Sequence, residues 1–198
     1  MNRLLASVLL LSLVTSPALA ALKVGQSAPD FFARASLAGK AFDFSLKAAL
    51  KKGPVVVYFY PSAFTGGCNI EAHTFAVNKE KFDAAGATII GVSQDSIARL
   101  DAFSADPQYC ASKFPVASDA SGAIAKSYDL SSHDATPGVK DSRGVAIDHA
   151  FTERTTFVIG QDGKIVAVFS SADDKISPID HVSRSLTIVQ KIAAAKAG

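Results

Sequence analysis

Residues 54–60, Pro-Val-Val-Val-Tyr-Phe-Tyr, make an unbroken β-branched and aromatic run. A strand with no polar alternation has no face to give to water, so this segment belongs at the centre of a sheet covered on both sides. A short loop, Pro61-Ser62-Ala63-Phe64-Thr65-Gly66-Gly67, leads from it into a helix. The helix opens at Cys68 and runs to about residue 85, with Ala72, Phe75, Lys79 and Phe82 on one stripe and Gly86 placed to end it. Thr88 to Ser93 is a second buried strand, followed by a short helix capped by Asp95 and reaching Phe103. Two covered strands joined by a helix form a β-α-β unit.

The remaining segments extend that unit. Residues 24–31 form an extended entry, and Gly39 to Phe44 alternates like one strand of a small hairpin. Phe114 to Val116 is a brief strand, and Asp119 or Ser121 caps a helix to Tyr128. Thr155 to Ile159 pairs with Lys164 to Phe169 across Gly160-Gln161-Asp162-Gly163, an Asp-Gly turn between two apolar runs. A last helix starts at Ser177-Pro178 and reaches Ala195, while residues 129–150 form a polar excursion that the pattern leaves unexplained. The fold expected is α/β and thioredoxin-like, a central mixed sheet flanked by helices with an N-terminal extension.

Residues 1–20 carry Arg3 as their one charge, an apolar run from Leu4 to Val14, and a small-x-small ending, Ala18-Leu19-Ala20. That is the pattern of a secretory signal peptide cut after Ala20, with an uncleaved anchor as the alternative, which the run disfavours because it is shorter than the roughly 20 residues that span a bilayer. Residues 21–198 then form a single domain, expected in the periplasm or outside the cell with no stable membrane association. Loss of Arg3 leaves 19 basic and 18 acidic side chains and no basic block, so nothing suggests a nucleic-acid or anionic-membrane partner. His73, His133, His149 and His181 show no metal-ligand spacing, so neither a metal nor a cofactor is expected.

Two cysteines, Cys68 and Cys110, remain to be explained. In an exported chain the plain reading is one structural disulfide. The surroundings of Cys68 argue otherwise. A thiol in the first turn of a helix meets unpaired N–H groups and the positive end of the dipole, both of which favour its charged form. Thr65 stands three residues before it, the offset of an N-cap hydroxyl from the third helical position, and from there its oxygen can also reach a ligand on the sulfur. Gly66 and Gly67 leave the backbone bare, and Pro61 stiffens the strand exit.

Pro61, Thr65 and Cys68 together resemble the Pro-x-x-x-Thr-x-x-Cys motif of the peroxiredoxins. The likeness extends to Val24-Gly25-x-x-Ala28-Pro29-Asp30-Phe31, to the strand before Pro61, and to Arg154-Thr155-Thr156-Phe157-Val158-Ile159. Cys68-Asn69-Ile70-Glu71 and Asp162-Gly163-Lys164 are similar to the bacterioferritin-comigratory, or Q-type, branch. The resemblance implies that Cys68 is the peroxidatic nucleophile, Thr65 a guide for the peroxide, Pro61 a shield, Arg154 the cation that favours the thiolate, and Glu71 the residue that positions that arginine. It implies a thiol peroxidase acting on hydrogen peroxide or small organic hydroperoxides, regenerated by an unidentified thiol reductant, either a thioredoxin-like protein or a small thiol. It implies a monomer, with a weak dimer as the alternative.

Oxidation of Cys68 to a sulfenic acid calls for a second thiol. Many Q-type enzymes carry it five residues on, where this chain has His73; Cys110, 42 residues downstream, is the resolving residue the resemblance leaves. Two other readings stay open. One is a one-cysteine peroxidase in which Cys110 only packs. The other is an exported thiol–disulfide oxidoreductase, although such proteins usually use Cys-x-x-Cys and this chain has Cys68-Asn69-Ile70-Glu71.

Overall fold

The computed structural model describes residues 21–198. The leader reading therefore falls outside the described residues. In chain order the elements are β1 (Phe32–Leu37), β2 (Lys40–Ser45), α1 (Leu46–Leu50), β3 (Val55–Phe59), α2 (Gly66–Ala84), β4 (Thr88–Ser93) and α3 (Ile97–Ala105). They continue with β5 (Val116–Ser118), α4 (Ala123–Ser127), β6 (Ser132–His133), β7 (Phe151–Thr152), β8 (Thr155–Ile159), β9 (Ile165–Ser170) and α5 (Pro178–Ala197). Seven strands form one sheet in the order β2-β1-β5-β4-β3-β8-β9, and β6 and β7 pair separately.

The apolar run becomes β3, at the centre as its composition requires. It is parallel to β4 and antiparallel to β8, so the strand direction reverses beside it. Alternate residues of β3 feed two cores. Val56 and Tyr58, with Tyr60 beyond the strand, pack with Phe75 and Phe82 of α2, Phe103 of α3 and Val189 of α5, while Val55, Val57 and Phe59 pack on the other face with Leu46, Phe157 and Tyr128. Helices cover both faces, the thioredoxin-like arrangement expected. The tightest approach in the sheet is at Gly91 of β4, where a Cβ would lie 2.6 Å from the Tyr58 hydroxyl. Only glycine leaves room there for the Tyr58 ring.

Several expected boundaries shift for local reasons. The Cys68 helix starts two residues earlier, at Gly66, and closes at Ala85 before Gly86, which takes φ +68°. Lys79 does not join the buried stripe: it turns outward to pair with Asp83, and Ala76 and Glu71 take its place inside. Ser96, not Asp95, caps α3 by accepting from the Arg99 N–H at 3.3 Å, which leaves the Asp95 carboxylate free to turn inward. Asp119 accepts from the N–H groups of Ile124 and Ala125 at 3.0 and 2.8 Å, which starts α4. The Asp-Gly hairpin forms between β8 and β9 with Gly163 at φ +79°. A reciprocal Ser177–Asp180 cap opens α5.

Candidate active site

The loop after β3 lies at the carboxyl end of a parallel pair, beside the strand where direction reverses, the place where open α/β sheets build their sites. Thr65 is the N-cap residue of α2 and Cys68 the third residue of the helix, nearly buried at 2 % exposure. The Thr65 hydroxyl does not cap. It donates to the Ser62 carbonyl at 2.8 Å, folding the loop on itself, so no side chain occupies the first-turn N–H groups of α2. Pro61 is half-buried at the strand exit.

Arg154 arrives from the connection between β7 and β8. Its Nη2 donates to Cys68 Sγ at 3.1 Å, and its Nη1 bonds Glu71 Oε2. One guanidinium thus holds a sulfur and a carboxylate on successive turns of one helix, a planar two-partner geometry that lysine lacks. Gly67 makes room for it: a Cβ there would lie 3.3 Å from Arg154 Nη2. Both ends of the Arg154–Glu71 pair are shielded, at 10 % and 0 % exposure. Burial pushes the Glu71 carboxyl up to about 7, against the opposing pull of Arg154. The Arg154 guanidinium stays charged despite its own burial, held so by Glu71 and Cys68.

Behind this pair sits His181 of α5, which the sequence reading did not place. Its Nδ1 contacts Thr156 Oγ1 and its Nε2 contacts Ser171 Oγ, each at 2.9 Å. Burial and the Arg154 charge push it down to about 4, so it is neutral and makes no ion pair with Glu71 Oε1, 3.9 Å away. Glu71 Oε1 is left without a hydrogen bond. The cost of an ionised Glu71 is therefore real and depends on pH. A carboxyl raised from 4.5 to about 7 on folding contributes most below its unfolded value and loses that contribution as pH rises through the interval. The stability of the protein relative to Glu71→Gln is expected to decline across that window, which melting curves of the two at a series of pH values would read. A constant difference would remove the basis for a raised Glu71.

A second polar cluster grips the loop from outside. Asp95, fully buried, accepts from the Ala63 N–H at 2.7 Å, the Ser62 hydroxyl at 3.0 Å, the Ser93 hydroxyl at 2.7 Å and His149 Nε2 at 2.8 Å. Burial alone would raise its carboxyl, but these bonds, His149 first, hold it below the usual range. Arg99 pairs with Asp95 at 2.8 Å and donates to the Ala63 carbonyl at 3.0 Å. Reading Asp95 as a helix cap hid this role; the signal was present in its position straight after a buried strand and among serines.

Cys110 lies in the turn after α3, fully buried in the same core as Cys68 and still a free thiol. Burial, with the Asp106 charge adding to it, pushes that thiol well above its usual range. The turn is held from α2 by a bond between His73 Nδ1 and the Gln108 carbonyl at 3.0 Å. Ala111 and Ser112, which follow Cys110, both take left-handed backbone angles of φ +51° and +58°. Each such non-glycine residue costs about 1–2 kcal/mol. The structure thus brings Cys68, Glu71 and Arg154 into one cluster, sets Thr65 at the N-cap before it with its hydroxyl turned to the Ser62 carbonyl, sets Pro61 at the strand exit, and keeps Cys110 in the core beneath a strained turn.

Comparison with known proteins gives a consistent result. The model of the AhpC/TSA family matches residues 24–168. A protein of Mycobacterium tuberculosis named as a peroxiredoxin is 33% identical over 147 residues, which span 74% of this chain and 84% of its own. Among solved structures, peroxidoxin BcpB of Mycobacterium tuberculosis aligns with a TM-score of 0.71 at 28% identity, covering 86% of this chain and 98% of that one. Peroxiredoxin Q of Xanthomonas campestris aligns with a TM-score of 0.62 at 30% identity, covering 81% and 90%.

Proposed function

This chain belongs to the AhpC/TSA family of peroxiredoxins, which are thiol-dependent peroxidases, and from that premise we propose that Cys68 is its peroxidatic nucleophile and Cys110 its resolving thiol. The observation that carries the reading is the Arg154 Nη2 to Cys68 Sγ bond at 3.1 Å, in the first turn of α2. A thiolate there attacks one oxygen of a hydroperoxide; the S–O bond forms, the O–O bond breaks, and the departing oxygen leaves as hydroxide or alkoxide and takes up a proton. Negative charge builds on that oxygen, so the guanidinium and the open N–H groups stabilise the transition state more than the ground state. Thr65 and Pro61 frame the approach, and Glu71 orients Arg154.

The second step needs movement. Cys110 attacks the Cys68 sulfenic acid, an S–S bond forms, and water leaves. For that the Cys110 turn must open, which loses the His73–Gln108 bond but relieves the left-handed strain at Ala111 and Ser112. An external dithiol then reduces the disulfide. The complete burial of Cys110 favours a second reading, in which it only packs and an external thiol resolves Cys68 directly. Treating the reduced protein with one equivalent of peroxide and mapping disulfides by mass spectrometry decides between them. The expected product is a Cys68–Cys110 disulfide, with Cys110→Ser keeping a single fast oxidation but losing turnover with a dithiol reductant. Sulfenic or overoxidised Cys68 beside a free Cys110 thiol would sink the resolving role.

The proposal places the reaction outside the cytosol, on the strength of residues 1–20. There the reductant is a membrane-fed thioredoxin-like protein or a small thiol. The working unit is a monomer.

A further inference from the structure

Residues 129–150 take no part in the reaction as described, yet they touch its loop repeatedly. The Ser142 N–H donates to the Phe64 carbonyl at 2.9 Å, and the Arg143 guanidinium lies 3.2 Å from the centre of the Phe64 ring. His149 reaches the same loop through Asp95, which binds Ser62 and Ala63. Phe64 itself takes φ +62°, a left-handed angle that a bulky side chain rarely adopts. Such a residue persists only where its surroundings over-determine it. Because Phe64 immediately precedes the N-cap of α2, its backbone aims the first turn that carries Cys68.

We propose that residues 141–149 are a strap that positions the Cys68 loop, with Arg143 and His149 as positioning residues for peroxide reduction. This rests on the peroxidase reading above. Arg143 is fixed by Asp141 through Nε and Nη2 at 3.0 and 2.8 Å, and the same carboxylate oxygen takes Arg99 Nη2 at 2.8 Å. Arg99 ends on the Ala63 carbonyl, so strap and loop share one ionic cluster. The Phe64 ring also meets Tyr109 edge-on at 5.6 Å, next to Cys110. The strap thereby bears on the turn that must open as well as on the loop that must hold still.

His149 makes the strap sensitive to pH. Its Nε2 faces Asp95 Oδ1 at 2.8 Å and its Nδ1 faces the Ala150 carbonyl at 2.9 Å, so two acceptors ask for two donors, which is the imidazolium. The charged groups that face it are Asp95 and Arg99. Burial and Arg99 disfavour the cation, but the Asp95 bond and charge outweigh them and raise the imidazole above its usual 6.5. A raised base stabilises the fold below its ordinary value and releases that stabilisation as pH climbs through the raised one. The strap therefore loosens on the alkaline side.

The test measures the second-order rate with hydrogen peroxide by stopped flow, the rate of thiol alkylation by iodoacetamide, and the melting curve, for the wild type, Cys68→Ser, Arg143→Ala and His149→Gln. Arg143→Ala, at a half-open site, should melt near the wild type and lose about 10-fold in peroxide rate with alkylation unchanged, the signature of misplacement rather than of lost thiolate. His149→Gln keeps a donor to Asp95 with no proton to lose, so the alkaline fall of the peroxide rate should flatten. Wild-type peroxide rates in Arg143→Ala together with a wild-type pH profile in His149→Gln would overturn the strap. If Arg143→Ala melts early, the His149→Gln profile alone decides. A wild type no faster than Cys68→Ser would instead mean that the peroxidase reading has failed.

Discussion

Cys68→Ser is expected to remove peroxide consumption while leaving the fold in place, a loss on the order of 10⁴-fold or more, as for deletion of the nucleophile in other enzymes. The hydroxyl cannot supply an anion near neutral pH, and oxygen is a poor nucleophile toward a peroxide bond compared with sulfur. The substitution is nearly isosteric at a site 2 % exposed, and Arg154 Nη2 remains there to donate to the new oxygen. No buried polar group is orphaned, so the melting temperature should stay within a few degrees of the wild type. A peroxide-consumption assay beside a melting curve reads both. A variant that unfolds at moderate temperature would point to a structural thiol, and one that still turns over would move the chemistry elsewhere.

Arg154→Ala should have the next largest effect, about 10²–10³-fold on the peroxide rate, the magnitude seen when a donor to developing charge is removed. Two losses combine in it. The sulfur loses the cation that favours its charged form, and the departing oxygen loses a donor during attack. Glu71, fully buried, also loses its partner and is expected to take up a proton rather than remain as a bare carboxylate, which moderates the stability loss. Arg154→Lys restores a point charge that cannot hold sulfur and carboxylate together, so only part of the rate returns. The two contributions separate by reagent. Alkylation by iodoacetamide senses thiolate supply, whereas peroxide senses both, so the peroxide rate should fall further. Equal falls with both reagents would confine Arg154 to ionising the thiol.

Much of this architecture was legible in the sequence because local and global demands agree. The Val-rich run before Pro61 could only be central, and the Asp162-Gly163 turn could only join β8 to β9. Arg154 was legible through likeness to a family motif; nothing in residues 151–154 alone places a guanidinium on a sulfur 86 positions away. What escaped the sequence was the set of contacts whose meaning depends on a partner far along the chain. Asp95 carries the signature of a helix cap, and a neighbouring serine took that position because the carboxylate gains more from four donors, three on the loop and strap and one at the end of β4, than from one free N–H. Phe64 reads as an ordinary apolar loop residue, since a left-handed backbone angle in a non-glycine leaves no trace in composition. His181 and His149 stand alone in the sequence, and their roles arise only where α5 and the strap close on the sheet.

Ribosomal synthesis runs from the amino end, and the long-range contacts of Cys68 and the loop before it reach forward, from Ala63 to Asp95, from Phe64 to Ser142 and from Cys68 to Arg154. A growing chain completes the strand, the loop and the helix long before the guanidinium is made. The cluster of Cys68, Glu71 and Arg154 is therefore complete only in the finished domain, because its guanidinium comes 86 positions after the sulfur.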